Sequence, residues 1–264
     1  MKKPLIFAVI LLVSIQNIFS QTVKLDSIFT IDGVIVANVK EITPDLIKYN
    51  VPDMEVTTSI YRNIVKKIQY KTGQTQVFKE SINLENVESA YDADKVRVSN
   101  KENETKGLIK LGVVYASVFG ETPFSTYENI LERALRKLKI QAAMLGGNLV
   151  YFSDKFDQVL SGSVYSNTLP KMEDFKRFNN DKNEYTVYNS VSISVNRFNL
   201  EENIEFPTKV VIEDIYQDDD FIYIKSKKTQ YSDNQVYRVV CFSKNHFVLT
   251  YLKGNRIYNL FLLP

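Results

Sequence analysis

The chain has 264 residues, 44% of them hydrophobic, with 33 Lys and Arg against 31 Asp and Glu, one Cys and one His. A single cysteine excludes an intramolecular disulfide, and a single histidine excludes a His pair or an imidazole triad around zinc. The near balance of charge leaves no basic footprint for nucleic acid.

Lys2 and Lys3 precede an unbroken apolar run from Leu5 to Val13, and Ser14 to Ser20 is more polar and ends on a small residue before Gln21. That order reads as a secretory signal peptide over residues 1–20. The run is too short to cross a hydrocarbon core of about 30 Å. Cleavage after Ser20 removes two lysines and leaves 31 basic and 31 acidic residues, a net charge of zero. The only cysteine, Cys241, is far from the cleavage point, so no N-terminal lipid anchor is expected. No later segment has the apolar length of a transmembrane helix. The expected location is periplasmic or secreted.

Residues 21–80 read as a small β-barrel-like domain. Ser27 to Thr30 is a short strand, Asp32-Gly33 is a turn, and Val34 to Ile42 alternates with a bulge after Val36. Leu46 to Val51, Thr57 to Ile60, Val65 to Tyr70 and Gln74 to Phe78 follow as strands between turn residues. Many short strands in so short a stretch suggest an SH3-like or Sm-like barrel. Residues 81–105 are polar and are expected to form a linker.

Residues 106–200 change character. Gly107 to Phe119 is apolar and β-rich, and Ser125-Thr126-Tyr127-Glu128 has the form of a capping box. Ile130, Leu131, Ala134, Leu135, Leu138, Ala142 and Leu145 then recur at helical spacing and predict one apolar face, which Gly146-Gly147 ends. Leu149 to Phe152 is the next strand, Asp154 to Glu184 reads as loop, and Thr186 to Phe198 as a further strand. Residues 205–264 alternate as a small β meander. They echo the first domain: Ile212 to Ile215 resembles Val39 to Ile42, and Leu249 to Gly254 resembles Ile68 to Gly73. The expected fold class is α+β: a small N-terminal β-barrel-like domain, a central β-α-β domain with one long helix on a sheet, and a C-terminal β meander.

On Asp32-Gly33, Val39 to Tyr49 and Ile68 to Gly73, the N-terminal unit resembles a small SH3/Sm-like β module of exported Gram-negative envelope proteins. On Ala134 through Gly147-Asn148-Leu149-Val150, the middle unit resembles the YbjQ-like α/β families, which include an outer-membrane stress-sensor lipoprotein. The first resemblance implies fold and little about activity. The second carries a heavy-metal-binding label. This chain departs from it, because Lys106 to Phe198 holds neither Cys nor His, the side chains that soft transition metals need.

Single residues offer little chemistry. His246 follows Lys244-Asn245 and reads as a solvated turn histidine, and Cys241 between Val240 and Phe242 reads as an inward small hydrophobe. Asp218-Asp219-Asp220 lacks the alternating spacing of a calcium loop. Gly146-Gly147-Asn148 ends a helix rather than opening one, so it is no phosphate cradle. Arg133, Arg136, Lys137 and Lys139 are expected on a solvated face, with an anionic lipid or glycan as the other reading. No catalytic, cofactor-binding or metal residue is therefore expected, and no enzyme.

The function this supports is an exported, non-enzymatic binding or scaffold protein of the cell envelope, partnered by another envelope protein or polymer. An envelope stress-sensing component and a carboxylate-dependent hydrolase of envelope polymers are the alternatives. A deep cleft with two inward carboxylates points to the hydrolase; a flat aromatic patch without them points to binding.

Overall fold

The computed structural model describes residues 24–52, 54–78, 82–117, 126–152, 159–194, 200–203, 208–227, 235–244 and 246–264. The expected signal peptide lies outside them. Of the described residues, 51% are in strands and 19% are helical. The chain divides into two compact units, Met1–Lys79 and Glu80–Pro264.

The first unit contains β1 (Asp26–Thr30), β2 (Val34–Ile42), β3 (Leu46–Asn50), β4 (Thr57–Tyr61), β5 (Val65–Gln69) and β6 (Thr75–Val77). They form one antiparallel sheet in the order β4-β3-β2-β1-β5-β6. Alternation decides its faces: Ile28, Ala37, Ile47 and Ile68 are fully buried in one apolar cluster. The β2–β3 ladder slips between Val39 and Glu41, inside the stretch where alternation breaks in the sequence. Asp26 is a buried carboxylate. Its Oδ2 accepts from the Val39 amide at 2.9 Å and its Oδ1 from the Lys71 amide at 2.8 Å, which ties β1 to β2 and to the turn after β5.

The second unit has three layers. The first is a four-stranded sheet of β7 (Arg97–Ser99), β8 (Ile109–Ser117), β9 (Leu149–Phe152) and β10 (Val159–Ser166), in the order β7-β9-β10-β8. Helix α1 (Tyr127–Met144) is the second. The third contains α2 (Met172–Asn179), β11 (Glu184–Ser194), β12 (Glu201–Glu202), β13 (Lys209–Asp218), β14 (Phe221–Ser226), β15 (Val236–Phe242), β16 (Phe247–Lys253) and β17 (Arg256–Leu262). Here β11 pairs with β13 through Glu184 to Thr186 and with β17 through Val187 to Ser194. The ring β11-β13-β14-β15-β16-β17 therefore closes on itself as an antiparallel barrel, with β12 attached to β11. Closure removes the sheet edges that an open meander would leave.

Side chains alternate along the barrel strands. Leu260 and Leu262 join Ile222, Ile224 and Leu249 inside, whereas Ile257 and Phe261 face outward. The interior is completed by α2, whose Phe175 is fully buried with its ring 5.3 Å from Phe242 and 5.8 Å from Phe247. The long helix is buried on two sides. Ala134, Leu138 and Ala142 pack on Val114, Val150 and Val164 of the sheet. Ile140 and Met144 pack on Val191, Ile193, Val248 and Phe261 of the outer barrel wall.

The expected fold class does not hold. The unit is β-rich, and the strands flanking α1 are not neighbours: β10 lies between β8 and β9 and pairs antiparallel with both. The parallel partner of β9 is β7, from the stretch expected to be a linker, where Val87, Ala90 and Val96 are buried. Residues 205–264 supply the rest of the barrel that β11 begins. The reason is physical: alternation marks a strand but does not name its partner, and these pairings are long-range.

Two local expectations also change. The helix is capped by Thr126, whose hydroxyl accepts from the Asn129 amide at 3.4 Å; Ser125 lies outside the described residues. Lys137, expected on a solvated face, is fully buried, and desolvation pulls its ammonium down to about 8.

Candidate functional site

The site grows out of the C-terminus of α1, where four carbonyls have no partner within the helix. Gly146 adopts φ +74°, a left-handed conformation that suits glycine. The Gly146 amide donates to Ala143 and the Gly147 amide to Ala142, each within 2.9 Å, giving a Schellman ending. The other two carbonyls are met from the barrel wall. Asn259 donates through Nδ2 to Met144 at 2.9 Å, and Arg238 through Nη2 to Leu145 at 2.6 Å. A second guanidinium nitrogen of Arg238 reaches the Leu111 carbonyl at 3.3 Å, and the guanidinium carbon lies 5.0 Å from the centre of the Phe221 ring. A cation at a helix C-terminus is favoured by the macrodipole. Burial nevertheless lowers the Arg238 guanidinium to about 10.

Beside this junction lies a cleft of about 350 Å³. The α1 terminus supplies Leu145, Gly146 and Asn148; the barrel wall supplies Phe221, Arg238 and Cys241; the segment before α2 supplies Lys171. Asn148 is buried, its Nδ2 donates to Asn167, and its Oδ1 has no hydrogen-bond partner.

Beside the cleft, which Glu88 and Cys241 line, the fold brings Glu88 to two side chains of one hairpin, Cys241 and His246. Cys241 stands near the end of β15 and His246 just before β16, joined by a turn in which the Ser243 amide donates to the His246 carbonyl at 2.6 Å. Glu88 comes from the irregular segment ahead of Ala90, whose amide is held by Asn259 Oδ1 at 3.0 Å. The Cys241 thiol donates to the Glu88 backbone carbonyl at 3.3 Å, and His246 Nε2 lies 3.8 Å from Glu88 Oε2. The Sγ, imidazole nitrogen and carboxylate oxygen all fall within 4.8 Å of one another. His246 Nε2 is buried and makes no hydrogen bond. Burial, and then the charge of Glu88, push the thiol up, so Cys241 is not an activated nucleophile.

Comparison with protein-family models, curated proteins and solved structures finds no match.

A second surface stands apart from the cleft. The face of the four-stranded sheet turned away from α1 carries Val113, Tyr115 and Val159, each between 43% and 49% exposed. Ser163 faces both Val113 and Tyr151, and Ser161 faces Tyr115, so small hydroxyls lie between the larger groups and keep the face flat. The exposed tyrosine suits a contact surface.

The remaining sequence candidates are not brought together. Asp218, Asp219 and Asp220 lie at the β13–β14 turn, with Asp219 at φ +49° and its carbonyl accepting from Gln217. Arg133 reaches back to the Asn129 carbonyl, and Lys139 reaches the Asp94 carbonyl at 3.2 Å. Among the described residues the buried carboxylate is Asp26, which backbone amides hold in the first unit. Cys241 and His246 were visible as single residues; Glu88 was not, because it sits 153 positions before Cys241 in a polar stretch.

Proposed function

We propose that this is an exported, non-enzymatic binding protein of the cell envelope whose partner is another envelope protein. The observation that carries the reading is the flat, exposed Val113–Tyr115–Val159 face. Tyrosine supplies broad amphipathic contact with few rotatable bonds, and the serines between the large groups leave room for a partner's side chains. The hydrolase alternative needs two inward carboxylates with at least one desolvated. The cleft instead presents Glu88, which is half-buried, and Asp174, which is exposed and paired with Arg177 at 2.5 Å.

Cross-linking and capture from the native envelope test the reading, comparing the unaltered protein with a Val113→Glu, Tyr115→Glu double variant. A single partner recovered with the first and lost with the second, at unchanged melting temperature, is the expected result. Capture indifferent to the double substitution defeats the assignment of this face. Turnover of peptidoglycan or glycan that vanishes on replacing one Asp or Glu defeats the non-enzymatic reading.

A further inference from the structure

We infer that Glu88, Cys241 and His246 form a binding site for a borderline-soft divalent cation of the Zn²⁺ class at the cleft beside the α1 terminus. The three ligand atoms converge within 4.8 Å. Zinc bonds of about 2.0–2.3 Å arranged tetrahedrally separate neighbouring ligand atoms by roughly 3.3–3.6 Å. The His246–Glu88 separation of 3.8 Å is already close to that. The rest of the approach is a matter of side-chain rotation, with Glu88 on an irregular segment and His246 at a turn.

The ligand set selects the metal. A thiolate with an imidazole favours Zn²⁺ and related ions, whereas Mg²⁺ and Ca²⁺ require a shell of oxygens. On binding, the Cys241 thiol gives its proton to solvent and exchanges its bond to the Glu88 carbonyl for a bond to the cation. Thiolate and carboxylate together then cancel the two positive charges. The buried Nε2 of His246, which makes no hydrogen bond, gains a partner. Three protein ligands leave a tetrahedral cation one open position, and Glu88 and Cys241 both border the cleft that would supply water or a small donor for it.

The site is assembled by the barrel. Register places Cys241 opposite Val248 and Phe242 opposite Phe247, which sets the two metal-ligating ends of the β15–β16 hairpin side by side. Asn259 holds the Ala90 amide and thereby places Glu88 over that hairpin. None of the three residues belongs to the segment 106–198, where the sequence lacks soft ligands.

Calorimetric titration of the purified, untagged protein with Zn²⁺ is the primary test, with Mg²⁺ and Ca²⁺ as comparison ions. One-to-one saturation at micromolar affinity or tighter is expected. Cys241→Ala, His246→Gln and Glu88→Gln should each weaken it by about tenfold or more, a loss of about 1.4 kcal/mol. Co²⁺ should give a thiolate-to-metal charge-transfer absorption that Cys241→Ala abolishes. Binding that is absent, or that survives both Cys241→Ala and His246→Gln, overturns the site. Should the variants fail to fold, alkylation of Cys241 in the unaltered protein decides the matter. Zn²⁺ should slow it and a chelator should restore it; an alkylation rate indifferent to Zn²⁺ overturns the site equally.

Discussion

Lys137 carries the clearest energetic cost at the scale of single residues. Its side chain is fully buried in α1, and desolvation lowers its ammonium from 10.5 to about 8. The unfolded chain therefore binds more protons than the folded one between about pH 8 and 10.5. Stability contributed by this group must rise with pH through that window, because the penalty for a buried charge is present below it and relieved above it. Lys137→Met removes the titration while keeping the length of the side chain. Denaturant melts of both proteins from pH 7 to 10 should show the variant gaining relative to the parent at the acid end, with the difference shrinking as pH rises. Tyr185, whose phenol burial lifts to about 12, is common to both and cancels. A difference that stays constant across the range would show that Lys137 is not the titrating group.

Asn259 shows the opposite economy, a buried polar group whose contacts are filled. Its amide accepts from Ala90 and donates to Met144, so one side chain joins the start of a 3-10 turn, the end of α1 and the barrel wall. Asn259→Ala leaves a buried donor and a buried acceptor without partners, each costing about 1–3 kcal/mol. A loss of at least about 2 kcal/mol in thermal or denaturant unfolding is expected. A loss below about 0.5 kcal/mol would mean that water replaces the side chain at both groups.

At the scale of elements, α1 explains what sequence periodicity reveals and what it hides. The stripe from Ala134 through Leu138 to Ala142 was legible because those residues share one face at helical spacing, and it packs on the sheet. The second stripe, Ile140 and Met144, was hidden in plain sight: a helix buried on two sides loses the contrast that periodicity measures. Leu138 is fully buried on the first stripe. Leu138→Ala should destabilise the protein by about 2–5 kcal/mol; a change under about 0.5 kcal/mol in equilibrium melts would show that the sheet contact contributes little. The strands are legible where they alternate, as in β2 and β14. Three-residue β7 is illegible because so short a segment carries no period. Barrel closure is illegible because β11 changes partner between Thr186 and Val187, just ahead of a slip between Val187 and Asn189, a feature with no local signature. The candidate metal site is illegible in sequence for the same reason: a hairpin sets Cys241 and His246 near each other, but only the folded chain brings Glu88 to them.

At the scale of the whole molecule, the two units keep separate cores. The apolar cluster of the first unit draws on residues from Ile28 to Phe78, and the three clusters of the second draw on residues from Val87 to Leu262. No buried residue belongs to both sets among those described. A segment from Glu80 to Pro264 falls in the ordinary size range of an autonomous domain, and β11 closes its barrel by pairing with both β13 and β17. The first unit is far smaller, and so short a chain buries too small a share of its surface for a large margin of stability. Residues 80–264 expressed alone should therefore unfold in one cooperative transition, with the near-ultraviolet dichroism of a packed aromatic core around Phe175. Residues 24–79 alone should melt at a lower temperature than the larger piece. Circular dichroism of the two pieces and of the full chain checks both statements. A larger piece that is molten under conditions where the full chain is folded would show that its stability depends on the first unit, whatever the separation of their cores.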